Sequence, residues 1–183
     1  MVDKKDCVIL VALENELPKN LMPDWNIVYT GVGKINASIS IVKAYQEYNP
    51  KLIINYGTAG TLNKGLSGLV PVTVFKQRDM DVTGLGFEFG QTPYEDNSTI
   101  SFDDDGYSCG TGDNFVMSDP KIKTDLVDME SYAYAKFCKE HNIDFLCYKY
   151  ISDNADKNAP KDWPELVGNG ADAFLNMEFI NGN

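Results

Sequence analysis

The sequence predicts an α/β protein built on a largely parallel sheet, and three observations carry that expectation. Short apolar runs such as residues 7–12 (CVILVA) and 143–151 are continuous rather than alternating, as strands buried on both faces are. Stretches with helical spacing, 35–48 and 132–141, lie between those runs. Carboxylates, glycines and small residues follow the runs directly, at the strand ends where open α/β sheets bind ligands.

Taken in order, residues 7–12 form the first buried strand, and Leu13-Glu14-Asn15-Glu16-Leu17-Pro18 brings two carboxylates to its end. A turn through Met22-Pro23-Asp24 leads into a strand over 25–30. Gly31-Val32-Gly33-Lys34 then opens a helix over 35–48, whose core-facing side should hold Ile35, Ile39, Val42 and Tyr45. The glycines allow a tight turn and close backbone approach, but the spacing is neither a P-loop nor a complete GxGxxG, since Asn36 replaces the third glycine. Asn49-Pro50 ends the helix, residues 51–55 form a third strand, and the small residues of Tyr56-Gly57-Thr58-Ala59-Gly60-Thr61 follow it. A strand over 69–76 carries Pro71, which places it at an edge or a bulge.

Residues 79–93 (DMDVTGLGFEFGQTP) are too apolar for a free linker and read as a binding or partner-facing loop. Residues 94–111 are acidic, with Asp103-Asp104-Asp105-Gly106 as the turn of a solvated hairpin; the spacing of a calcium loop is absent. After Gly112-Asp113-Asn114-Phe115-Val116, the stretch 125–156 should be a strand ending at Glu130, a helix N-capped by Ser131, and a strand ending at Ser152 and Asp153. A strand–helix–strand unit implies two parallel strands, so Glu130 and Asp153 should reach one edge of the sheet. Residues 157–163 read as a polar loop delivering Trp163 to a last helix over 172–180, with Phe174, Leu175 and Phe179 facing the core.

With 183 residues, 43% hydrophobic and 23% charged, the chain is expected to be one domain over 1–183. A net charge of -11 argues against nucleic-acid or anionic-membrane partners, which need basic patches. The polar start MVDKKD lacks a signal-peptide apolar region, so a cytoplasmic location is expected. Cys7, Cys109, Cys138 and Cys147 show no metal or disulfide spacing, and Cys7 and Cys147 fall in buried strands. His141 is the sole histidine and sits at a helix end, which argues against a histidine-based triad or metal site.

Seven ordered stretches carry a resemblance: VALENEL (11–17), TGVGKINAS (30–38), LIINYGTAG (52–60), DMDVTGLGFEFGQTP (79–93), GDNFV (112–116), VDMES (127–131) and YISDNAD (150–156). Together they resemble the nucleoside phosphorylase/nucleosidase superfamily, and in particular its bacterial 5′-methylthioadenosine/S-adenosylhomocysteine nucleosidases. The resemblance implies a three-layer α/β/α fold around a central mixed, mostly parallel twisted sheet. Its substrate would be a small purine nucleoside, with no metal or organic cofactor, and the chain would form a homodimer. Asp153 would be the general acid at purine N7, oriented by Ser152, and Glu16 the base that activates water. Glu130 would hold the ribose hydroxyls, Met129 would pack on the sugar, and Thr58 would help place the water. Phe115 would stack on the purine and the backbone at Val116 would read its edge. Leu13, Val32 and Trp163 would line the 5′ side, while Val82, Leu85, Phe87 and Pro93 would complete the pocket partly across a dimer interface.

These residue types suit N-glycosidic cleavage. The purine leaves as a neutral base only if it is protonated, and a carboxyl group can supply that proton when burial or neighbouring charge raises its pKa. A second carboxylate activates water on the opposite face. The alternatives are a purine nucleoside phosphorylase, or a homologue that binds nucleosides without turnover. Phosphorolysis needs cations in the anion pocket; Arg78 is the single arginine and lies outside the motifs, leaving Lys34 and Lys149. The chain also departs from the family: few residues separate Leu17 from Trp25, and Tyr56, Thr61 and Phe87 replace usual residues, so the 5′ pocket is expected to be more open or to prefer another substituent.

Overall fold

The computed structural model describes residues 3–103 and 105–181. Asp104, part of the expected acidic turn, lies outside them. Among the described residues there are eight strands: β1 (Cys7–Val11), β2 (Asn26–Tyr29), β3 (Leu52–Thr61), β4 (Leu69–Gln77), β5 (Thr99–Ser101), β6 (Tyr107–Thr111), β7 (Leu126–Asp128) and β8 (Asp144–Asp153). The helices are α1 (Lys34–Tyr48), α2 (Ser131–His141), α3 (Ala159–Leu166), α4 (Ala171–Leu175) and α5 (Glu178–Asn181).

All strands belong to one mixed sheet in the order β2-β1-β3-β7-β6-β4-β5. β8 pairs with β3 on one side and with the start of β4 on the other, so β3, β7, β6, β4 and β8 close into a ring. β1 is buried throughout because it is covered on both faces. Val8 and Leu10 pack into the cluster with Ala37, Ile41 and Tyr134 of α1 and α2. Cys7, Ile9 and Val11 enter a second cluster with Leu17, Trp25 and Phe174. The alternation of a strand thus supplies two cores, and helices cover both sides of the sheet.

Several expectations are corrected. β7 and β8 are not parallel neighbours: β3 lies between them, antiparallel to β7 and parallel to β8. Glu130 and Asp153 still converge, because Val127 and Asp153 flank the same residue of β3, Gly60. β3 does not stop at Asn55 but runs on through the small residues to Thr61, with an irregularity between Ala59 and Gly60. Tyr56 is fully buried with its ring 4.4 Å from that of Phe174, so it fills the second core rather than opening a pocket.

β5 and β6 do not form a hairpin; both pair with β4, one on each side. Pro71 precedes the register shift between Val72 and Val74, in keeping with a bulged position. On α1 the buried side is Ala37, Ile41 and Ala44, whereas Ile35, Ile39 and Val42 are exposed, Ile35 at 73%. Tyr45 alone of the expected face packs partly against the core. Ser131 is the first residue of α2 rather than its cap; its N–H donates to the Asp128 carboxylate at 2.9 Å. The loop expected at 157–163 is largely helix, and the last helix is broken into α4 and α5, with Phe179 exposed. All four cysteines are buried and free.

Candidate active site

Glu16 comes from the loop after β1 and is 3% exposed. Its Oε1 accepts the Thr58 N–H at 2.8 Å and the Thr58 hydroxyl at 2.9 Å, and Oε2 accepts the Leu13 N–H at 3.0 Å. Gly57 leaves room for this carboxylate, since a Cβ there would lie 3.3 Å from Oε1. Three donors on one carboxylate fix its plane and leave lone pairs for a further donor such as water.

Asp153 ends β8 opposite the glycine of β3. A Cβ on Gly60 would stand 2.6 Å from Asp153 Oδ1, so only glycine allows the carboxyl to lie there. The Ala155 N–H donates to Oδ1 at 2.8 Å and the Ser152 hydroxyl to Oδ2 at 2.9 Å. Burial raises the Asp153 pKa above the ordinary aspartate value despite these donors, and the charges of Asp162 and Asp156 add to the rise. The carboxyl therefore holds its proton more tightly than an ordinary aspartate does.

Glu130 follows β7 and accepts the Gly33 N–H at 2.8 Å. Here the Gly31-Val32-Gly33 turn has its use: Gly33 adopts φ +95°, which aims its amide at the carboxylate. Burial first, then the Asp128 charge, push the Glu130 pKa up to about 7. Asp128 behaves oppositely. Burial opposes its ionisation, but the Lys149 ammonium at 2.9 Å and the Thr111 hydroxyl at 2.6 Å hold its pKa below the ordinary value.

These groups surround one cavity of about 210 Å³. All eleven residues assigned to acid, base, ribose, purine and the near 5′ wall line it: Asp153, Glu16, Ser152, Glu130, Met129, Phe115, Val116, Thr58, Val32, Leu13 and Trp163. Val82, Leu85, Phe87 and Pro93 do not; they lie on a separate loop, with Leu85 72% exposed and Phe87 edge-on to Tyr94. They stand apart from this chain's own cavity.

Arg78, expected away from the site, in fact lines it. Its guanidinium donates to the carbonyls of Gly110, Gly112, Asn114 and Asp128 and to the Asn114 side chain, so it braces the loop that carries Phe115. No sequence spacing links it to the loop it braces, and as the single arginine it counted only against a phosphate site. Lys34 is tied to Asp79 at 2.6 Å and to Gln77 at 3.1 Å, and Lys149 is bound to Asp128. Among the described residues no cluster of His, Cys, Asp and Glu has the arrangement of a metal site.

The mixed α/β sheet thus brings three carboxylates, Asp153, Glu16 and Glu130, from separate stretches of the chain to one cavity, the arrangement expected of the nucleoside phosphorylase/nucleosidase class. No family model matches the chain. It is 30% identical over 203 residues to the 5′-methylthioadenosine/S-adenosylhomocysteine nucleosidase of Haemophilus influenzae, covering 86% of this chain and 89% of that protein. The chain thus belongs to the 5′-methylthioadenosine/S-adenosylhomocysteine nucleosidase family. Its fold matches the Neisseria meningitidis nucleosidase in complex with methylthio-immucillin-A (TM-score 0.79, 22% identity, covering 91% of this chain and 93% of that one). It also matches the futalosine hydrolase of Helicobacter pylori (TM-score 0.81, 19% identity, 90% and 91% covered).

Proposed function

We propose that the chain hydrolyses the N-glycosidic bond of an adenosine derivative, 5′-methylthioadenosine or S-adenosylhomocysteine, releasing adenine. The observation that carries this reading is that Asp153 and Glu16 line a single cavity, with Glu130 beside them. The Asp153 carboxyl gives its proton to purine N7, so the C1′–N9 electron pair leaves on a neutral base. Glu16 takes a proton from the water that attacks C1′ on the other face. Glu130 accepts hydrogen bonds from the ribose hydroxyls and places negative charge near the developing oxocarbenium ion. Phe115 at the rim stacks on the purine, and the Trp163 side of the cavity faces the 5′ substituent.

Water is favoured over phosphate as nucleophile because each cation of the region is already engaged: Arg78 on carbonyls, Lys149 on Asp128, Lys34 on Asp79. Glu16 would also repel phosphate where the nucleophile must sit. The whole of 1–183 is proposed to act as one domain, and to pair as a homodimer. Support for pairing comes from the apolar stripe of Ile35, Ile39 and Val42 on α1, which begins next to Val32 at the cavity rim. Incubation with methylthioadenosine should yield free adenine and free sugar at the same rate with or without phosphate. Adenine release that requires phosphate, with sugar 1-phosphate as product, would overturn the hydrolytic assignment.

A further inference from the structure

The Thr58 hydroxyl stands between groups from distant parts of the chain. It donates to Glu16 Oε1 at 2.9 Å and accepts the indole N–H of Trp163 at 3.0 Å. A hydroxyl has one proton to give, and indole nitrogen can only donate. With Trp163 donating into it, the Thr58 proton is directed to Glu16. Linked hydrogen bonds of this kind polarise and strengthen one another where water is excluded. Trp163 belongs to α3, which packs against β8. The residue before it, Asp162, is among the charges that act on Asp153. One short helix therefore reaches towards both the acid and the base.

We propose that Trp163 is a positioning residue for the water-activating base: its indole N–H fixes the Thr58 hydroxyl as a donor to Glu16, so that seating α3 on the cavity orders that carboxylate. The proposal rests on the hydrolytic reading, which gives Glu16 its task. If Trp163 only walled the 5′ side, replacing its N–H would alter substrate affinity and leave the chemical step alone.

Trp163→Phe keeps an aromatic ring and removes the donor. It should lower kcat for adenine release roughly tenfold, part of what a general base contributes, while KM stays within about twofold, as expected when a transition-state interaction is lost. Thr58→Ala should lower kcat as well, and adding Trp163→Phe to it should cause no further fall, because the two act through one link. Additive losses, or a raised KM with unchanged kcat, would overturn the proposal. A second readout does not depend on turnover. In protein with 15N-labelled tryptophan, the indole cross-peak that vanishes in Trp163→Phe should move in Thr58→Ala and in Glu16→Gln; a cross-peak indifferent to both would also overturn it. A wild type that releases no adenine would instead remove the hydrolytic reading and the task assigned to Glu16, while the cross-peak would still decide whether the link exists.

Discussion

Asp128 and Glu130 stand two residues apart, yet the fold gives their carboxyls opposite tendencies. Lys149 lies against Asp128 and keeps it ionised, and the resulting negative charge, together with burial, drives Glu130 up to about 7. The sign of the effect on stability follows. A carboxyl whose folded pKa lies above its unfolded value stabilises the fold fully below the unfolded pKa, and loses that contribution as pH rises through about 7. For Glu130 this is on the order of 3 kcal/mol between acid and neutral pH. Glu130→Gln should therefore narrow the difference in Tm between pH 5 and pH 8; a difference as wide as in the wild type would contradict the assignment. Ten of the eleven expected residues that line the cavity sit in contiguous motifs, which made them legible in the sequence; Trp163 lies beyond the last motif. Asp128 was missed because its partner, Lys149, lies on another strand, and no spacing rule links the two.

At the scale of elements, the buried pair of Asp128 on β7 and Lys149 on β8 ties together strands separated by β3. Lys149→Met strands a buried carboxylate and should cost about 3–5 kcal/mol in urea unfolding, whereas Lys149→Met with Asp128→Leu should recover much of it. Equal losses in both variants would show that packing, not charge, dominates there. Each element that the sequence misassigned has its own physical reason. Alpha-helical spacing on α1 fits two apolar sides, and the one that meets the core is Ala37, Ile41 and Ala44, where small side chains let the helix approach closely. Glycines and small residues at 56–61 looked like strand-end loop, yet they continue β3 because Gly57 and Gly60 make room for Glu16 and Asp153. Residues 157–163 read as a polar loop, yet most of them are helical, and Pro160 occupies the first turn of α3, where its missing N–H is not needed.

For the whole molecule, the sequence conveyed the α/β class but not the closure of β3, β7, β6, β4 and β8 into a ring, since pairing of β8 with two strands distant in sequence leaves no local pattern. The exposed stripe on α1 bears on assembly. Ile39→Asp, at a site 50% exposed, should leave Tm nearly unchanged and shift the sedimentation coefficient from dimer to monomer; a species of unchanged mass would move the proposed interface elsewhere. No helix among the described residues is long and apolar enough to cross a membrane. The central claim is that Asp153 and Glu16 act on one bound nucleoside from opposite sides. It is tested most directly by single-turnover release of adenine from methylthioadenosine by wild type, Asp153→Asn and Glu16→Gln. Wild type should release adenine, and each variant should be slower by about 10²-fold or more with its circular dichroism unchanged. Release at the wild-type rate by either variant would contradict the claim.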